Sequence, residues 1–364
     1  MADIGKIRGH AAEATERARA DQLQRKDAEK RPGSIILGKQ DVQGEYDIGR
    51  LLYTTLGGQN RVITTDDLAT FRQNIRQVQK RLKKGVTARQ VIDLAKSHPL
   101  PSGGDGMTDL ERARKQIHTG VAASANVAAN KTLDVRFITN AGPDSDVHRH
   151  HVLVKFLAFD ESARAMMATA TDGARAPAAL TPKQAANRIR HGRLAFDCDC
   201  GRHRYFLRYI ATIGGFNAGR DEHGFPKIRN PGLRGIACKH VLRVMSEIDS
   251  STAVLNFLTK VMEKVLQSAD NKARLQHKQD EAEKAAAKQA AGKRGILTSA
   301  DRDARNTAAR ERRALESAAK KAKKPKKPTS ATGRATLRSA GALAKQFGLT
   351  AEQVIALLEA AKKG

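Results

Sequence analysis

The residues best able to do chemistry in this chain are three cysteines and a histidine. Cys198 and Cys200 flank a single residue, Cys238 lies two positions before His240, and 37 residues separate the two pairs. Three thiolates and one imidazole make a complete tetrahedral donor set for a structural Zn2+. With four protein ligands, no coordination position is left for a water, which points to a fold-stabilising ion and away from hydrolysis. His203 and His223 stand as rival fourth ligands, and unligated cysteines are the plainer alternative. An odd cysteine count in this arrangement speaks against a disulfide framework and for a reducing compartment.

The C-x-C…C-x-H spacing, with the second pair opening a helical pattern, resembles the SWIM-type zinc finger. The likeness covers about 194–249: a strand-like stretch ends at Cys198, Cys238-Lys239-His240 begins a helix, and apolar Val241 and Leu242 follow at once. The 37-residue gap is longer than that family's usual spacing. Gly214, Gly215, Gly219, Gly224 and Pro226 read as an extended loop filling it. The resemblance implies a β-hairpin stapled to a helix by zinc, held by Cys198, Cys200, Cys238 and His240. A cysteine at a helix start is further expected to have its pKa lowered by the positive end of the helix dipole. The approach to Cys238, from Pro226 onward, is also similar to SWIM-like proteins of large tailed phages.

Charge gives the second signal. Against 38 acidic residues stand 66 basic ones, a formal net charge of +28, which calls for a polyanionic partner, nucleic acid first. Arg202, Arg204, Arg208, Lys227, Arg229, Arg234, Lys239 and Arg243 crowd the metal pattern. Residues 271–334 hold 19 basic and 7 acidic side chains, with Lys320, Lys321, Lys323, Lys324, Lys326 and Lys327 bunched around two prolines. That bunched stretch resembles the tails of linker histones and bacterial histone-like proteins. All of these cations are candidate phosphate contacts. No apolar run approaches the length of a membrane span, and the opening residues have no apolar core of a secretory signal. No P-loop, nucleophile elbow or HExxH frame is present, so an enzyme is not expected.

Positioning elements follow from periodicity. Leu68, Phe71, Ile75, Val78 and Leu82 form one helical stripe, started near Thr64 or Thr65 and ended at Gly85. Thr87 caps a short second helix before Pro99. Leu133, Val135 and Phe137 alternate with polar residues as a strand, and His150–Leu157 reads as its hairpin partner. His148, His150 and His151 then mark the surface end of that hairpin. Thr181-Pro182 starts a helix, and Leu194–Cys198 and Tyr205–Ile213 read as strands. Two amphipathic helices follow Cys238. Three echoes, Thr87-x-x-Gln90, Thr181-x-x-Gln184 and Thr350-x-x-Gln353, read as capping boxes. Ala344, Gly348 and Val354 fit the core of a helix-turn-helix, or more simply of a small helical hairpin.

The expected fold class is α+β. A polar helical arm occupies 1–30 and a helical region 31–130. An α+β domain covers 131–266 and contains the zinc-stapled hairpin and helix of 194–249. A disordered basic linker covers 267–334, and a helical module 335–364. The expected function is non-enzymatic, zinc-dependent binding of nucleic acid, most simply DNA, with little sequence selection, in the cytoplasm at the nucleoid. The alternative is a phage virion component touching capsid or tail subunits, with a purely structural zinc.

Overall fold

The computed structural model describes residues 35–82, 85–101, 106–128, 131–143, 145–167, 179–268, 273–292, 295–321 and 331–361. The arm expected at 1–30 lies outside these, as do Lys323, Lys324, Lys326 and Lys327. The chain divides into two compact units, Met1–Ile296 and Leu297–Gly364.

The first unit opens with a two-stranded ribbon, β1 (Tyr53–Thr54) and β2 (Arg61–Val62), ahead of helix α1 (Thr65–Leu82). The apolar stripe of α1 is buried at Leu68, Phe71, Val78 and Leu82, as its spacing requires. Helix α2 (Ala88–Ser97) begins with a capping box between Thr87 and Gln90. Helix α3 (Asp109–Gln116) begins with another, between Thr108 and Glu111.

A five-stranded antiparallel sheet forms the centre. Its strands are β3 (Val121–Val127), β4 (Leu133–Asn140), β5 (Arg149–Phe156), β6 (Leu194–Cys198) and β7 (Arg274–Gln276), in the order β6-β5-β4-β3-β7. Side chains alternate across a strand, so one face collects Leu133, Val135, Phe137, Val152, Val154, Phe156 and Phe196, all fully buried. Between β5 and β6 the chain forms α4 (Phe159–Met167) and α5 (Pro182–His191), the latter starting from the Thr181–Gln184 capping box. After β6 come a π-helical turn (His203–Leu207) and α6 (Arg208–Ile213). Helices α7 (Lys239–Ser250) and α8 (Thr252–Gln267) cover the sheet. Helix α7 packs on β4, β5 and β6 and is flanked by α2 and α3. It is therefore buried nearly all round, from His240 to Asp249. Helix α9 (Gln279–Ala291) follows β7.

The second unit holds α10 (Ser299–Lys321), α11 (Ala331–Phe347) and α12 (Ala351–Ala361). Gly348, at φ +67°, makes the break between the last two, where a side chain would be strained. The expected pair of C-terminal helices is present. Among the described residues no helix is long and apolar enough to cross a membrane.

Four expectations change. Residues 205–213 are helical, not a strand. Phe206, Tyr209 or Ile210, and Ile213 recur at helical spacing, and a short apolar run does not by itself distinguish the two periods. The 31–130 region is not all helical, because β1, β2 and β3 lie in it; β3 (VAASANV) is rich in small residues and lacks the large alternation that marks a strand. Strand β6 is no half of a local hairpin, since its partner is β5, on the far side of two helices. The basic stretch after 267 is not devoid of structure. It adds β7 to the sheet edge beside β3, then forms α9 and α10, helices favoured by their alanine content.

Candidate metal centre

Cys198 is the last residue of β6, paired opposite Val152 of β5. The chain turns sharply at Asp199, which brings Cys200 back toward the same point. Asp199 secures that turn on the neighbouring strand: its carboxylate accepts the His151 backbone N–H at 3.1 Å, and its own N–H donates to the His151 carbonyl at 3.2 Å. Cys238 is the N-cap of α7, and His240 lies in that helix's first turn. The two halves meet because α7 packs across β5 and β6.

The Sγ atoms of Cys198, Cys200 and Cys238 and a ring nitrogen of His240 all lie within 4.8 Å of one another. A tetrahedral site with bonds near 2.3 Å has edges of roughly 3.8 Å, so the four donors need little movement to close on one ion. All four residues are buried. Both ring nitrogens of His240 lack a hydrogen-bond partner, and a coordinated cation would take one of them, relieving a cost of about 1–3 kcal/mol for that stranded group. The donor set and the stranded imidazole both fit a metal ion.

The charges argue the same way. Burial pushes the Cys198 and Cys238 thiols well above their ordinary value. At Cys238 the Val241 amide opposes this without prevailing, so the lowering expected from the helix start does not win. Cys200 instead is held well below the ordinary range by hydrogen bonds from the other two thiols, against the cost of its burial. Burial also pulls His240 down, which keeps it neutral, with the Cys200 thiolate pulling the other way. One thiolate can be accommodated without a cation; three need one.

A second layer positions these ligands. The backbone N–H of His203 points at Cys200 Sγ, 3.4 Å away. The His150 ring packs on the His240 ring, with centroids 4.2 Å apart. His150 Nδ1 donates to Asp199 Oδ1 at 2.8 Å, and Nε2 lies 3.4 Å from Ser145 Oγ. Asp199 thus ties the C-x-C turn to the ring that braces the histidine ligand, as outer-shell partners do. The sequence pattern missed this role and read His150 as the end of a hairpin. Its only signal was the alternation that puts His148 and His150 on one face.

The rival ligands are excluded from the cluster. His203 is fully buried, but its Nε2 faces Asp197 Oδ1 at 3.1 Å, away from the cluster. His223 is exposed on the loop. That loop, 214–237, is anchored along its length. The Phe216 carbonyl accepts the backbone N–H of Phe196 in β6, the Ala218 N–H donates to the Phe196 carbonyl, and Phe225 sits in the core between Phe71 and Tyr209. The extra length therefore carries core side chains.

The basic residues around the centre divide. Arg243 is 3% exposed and ion-paired with Glu247, one helical turn along α7. Arg208 grips Asp197 at 2.8 Å, and together with His203 it holds that buried carboxyl below its usual range although burial alone would raise it. Arg202 forks onto Asp109 and donates to the Leu100 carbonyl. Lys239 donates to Gln116 at 2.7 Å and Lys227 to the Tyr53 carbonyl at 3.2 Å. All five have partners within the fold, although the Lys227 bond lies at the surface. Arg204, Arg229 and Arg234 reach the surface. Lys320 and Lys321 fall at the end of α10, where the side chains are outside the description. A cavity of about 170 Å³ lies beside Cys200 and His240, lined also by Asp109, Arg112, His150, Arg202 and Lys239.

No family model, no curated protein and no solved structure matches this chain. The metal centre therefore rests on its own geometry.

Proposed function

We propose that this chain is a zinc-stapled, non-enzymatic nucleic-acid-binding protein. The observation that carries the zinc half is the buried Cys198–Cys200–Cys238–His240 cluster, whose soft donors and tetrahedral count suit Zn2+ best. Its C-x-C and C-x-H pairs resemble those of a SWIM-type finger, with a longer gap between them, here built on the edge of a larger sheet. The nucleic-acid half is supported by the +28 net charge and by Arg204, Arg229 and Arg234, for which no acidic partner occurs among the described residues. The zinc orders the structure that presents those cations, and the Lys-rich stretch near 320–327 adds a sequence-independent electrostatic anchor.

Native mass spectrometry of the purified chain, with and without DNA, tests both halves. The expected result is one zinc per chain and a DNA adduct. Affinity should fall linearly with salt on a log–log plot, each neutralised duplex phosphate contributing a slope of about −0.9. A metal-free, fully folded chain would sink the zinc half. Absence of any DNA affinity at low salt would sink the other.

A further inference from the structure

We infer that the surface formed by the His203–Leu207 turn and the Pro226–Arg234 loop is a stacking platform for single-stranded nucleic acid, with Tyr205 as its central base-stacking residue. The inference rests on the nucleic-acid reading above and specifies the form of the ligand.

Most other aromatic side chains are internal, with Tyr53 and Phe347 exposed and Tyr46 half-buried. Every Phe except Phe206 and Phe347 is buried. Phe206 and Tyr205 are half-buried, side by side on the turn that begins just after Cys200. Arginines interleave with them. The Arg229 guanidinium lies 4.5 Å from the Tyr205 ring centre and 5.6 Å from that of Phe206, Arg202 lies 4.7 Å from Phe206, and Arg204 lies 5.9 Å from Tyr205. Arg202 is neutralised by Asp109, but no ion pair engages Arg204, Arg229 or Arg234 among the described residues. Two uncompensated cations beside two half-buried rings, with a third, Arg234, on the same loop, match the chemistry of a flexible polyanion with planar bases. Phosphates go to the guanidinium groups, and bases join the ring–guanidinium stack.

The platform is also preorganised. The buried Asn230 side chain donates to the Phe206 and Arg234 carbonyls and accepts the Arg234 N–H, which holds the arginine-bearing loop against the aromatic turn. The turn itself is anchored at Cys200. A duplex hides its bases from such a surface, so stacking favours a single strand, whereas charge alone favours neither form so selectively.

The test is fluorescence anisotropy of the full-length, metal-loaded protein with labelled oligothymidylate and oligouridylate of roughly a dozen nucleotides, a length suited to such sites, and with a duplex of equal length. Tighter binding to either single strand than to the duplex is expected. Tyr205→Ala should weaken single-strand binding about five- to hundredfold while leaving duplex binding near wild type, and Tyr205→Phe should retain most of it. Arg229→Ala should weaken both forms and lower the single-strand salt slope by about 0.7. Zinc content and thermal melting of each variant establish that it is folded. Duplex binding equal to or tighter than single-strand binding, or indifference to Tyr205→Ala in a folded variant, overturns the platform while leaving the nucleic-acid reading intact. Failure of the wild type to bind any of the three probes removes that reading itself.

Discussion

Around Cys238, in the first unit, the thiols, His240 and the Arg243–Glu247 ion pair are shut away from water beneath a sheet whose strands come from distant parts of the chain. Around Val354, in the second unit, the buried hydrophobic residues among those described are Ala340, Ala344 and Val354, while Leu343, Phe347 and Leu358 stand about half exposed. The first region holds itself together through long-range contacts that must all be present at once. The second is a local helical arrangement whose elements are neighbours in sequence. Metal, buried charge and core packing should therefore be coupled in the first and absent as a set from the second.

The widest separation between the two should come from the metal. Structural zinc contributes on the order of 10–16 kcal/mol of apparent free energy in small modules. Cys238→Ser, or chelation of the wild type, should abolish stoichiometric zinc and the cooperative melting of the first unit. Helical circular dichroism from residues 331–361 should persist. Simultaneous loss of both signals would break the comparison.

The same centre has a pH signature. Burial raises Cys198 and Cys238, which keeps both thiols protonated near neutrality when no cation is present, whereas the neighbouring thiols lower Cys200. Metal binding should then release protons and weaken as pH falls. The metal-free fold should respond in the opposite sense. A thiol whose pKa is raised by folding is tolerated below the ordinary value of 9.0, and its burial turns unfavourable as pH rises through and beyond it. Calorimetry in buffers of different ionisation enthalpy counts the protons; no proton release would contradict this assignment.

Buried charge gives a smaller effect. Arg243→Met leaves Glu247 enclosed without its partner and should cost about 3–5 kcal/mol in denaturant unfolding, while the double variant Arg243→Met/Glu247→Leu should recover much of the loss. Equal losses in the single and double variants would mean that the site's packing, not its charge, matters.

The smallest effect should be in the second unit. Val354→Ala removes two methyl groups from a thin core and should cost about 1–2 kcal/mol, lowering the helical signal there without altering zinc content. A loss of zinc would show the units to be coupled.

Much of this was legible residue by residue. The four residues of the candidate metal cluster could be found from type and spacing alone, because few arrangements of three cysteines and a histidine offer a tetrahedral set. The Thr87, Thr181 and Thr350 echoes proved to be helix starts: Thr87 and Thr181 make full capping boxes, and Gln353 and Thr350 exchange bonds of 2.8 and 3.3 Å. Such signals survive because they act over one helical turn. The stripe of α1 survives for the same reason.

What the sequence determined by itself is local chemistry: the donor set, the helix starts, the alternation of β4 and β5, and the excess of positive charge. Tertiary structure decided which of those features face one another. It took β6 out of a local hairpin and set it at the edge of a sheet, placed His150 against His240, and gave Arg202, Arg208 and Arg243 internal carboxylate partners far enough apart in sequence, or hidden enough in the fold, to escape pattern reading. It left Arg204, Arg229 and Arg234 outside. A side chain's type states what it can bind. Only burial and the neighbours brought by distant strands state whether that capacity is spent within the protein or offered to a partner.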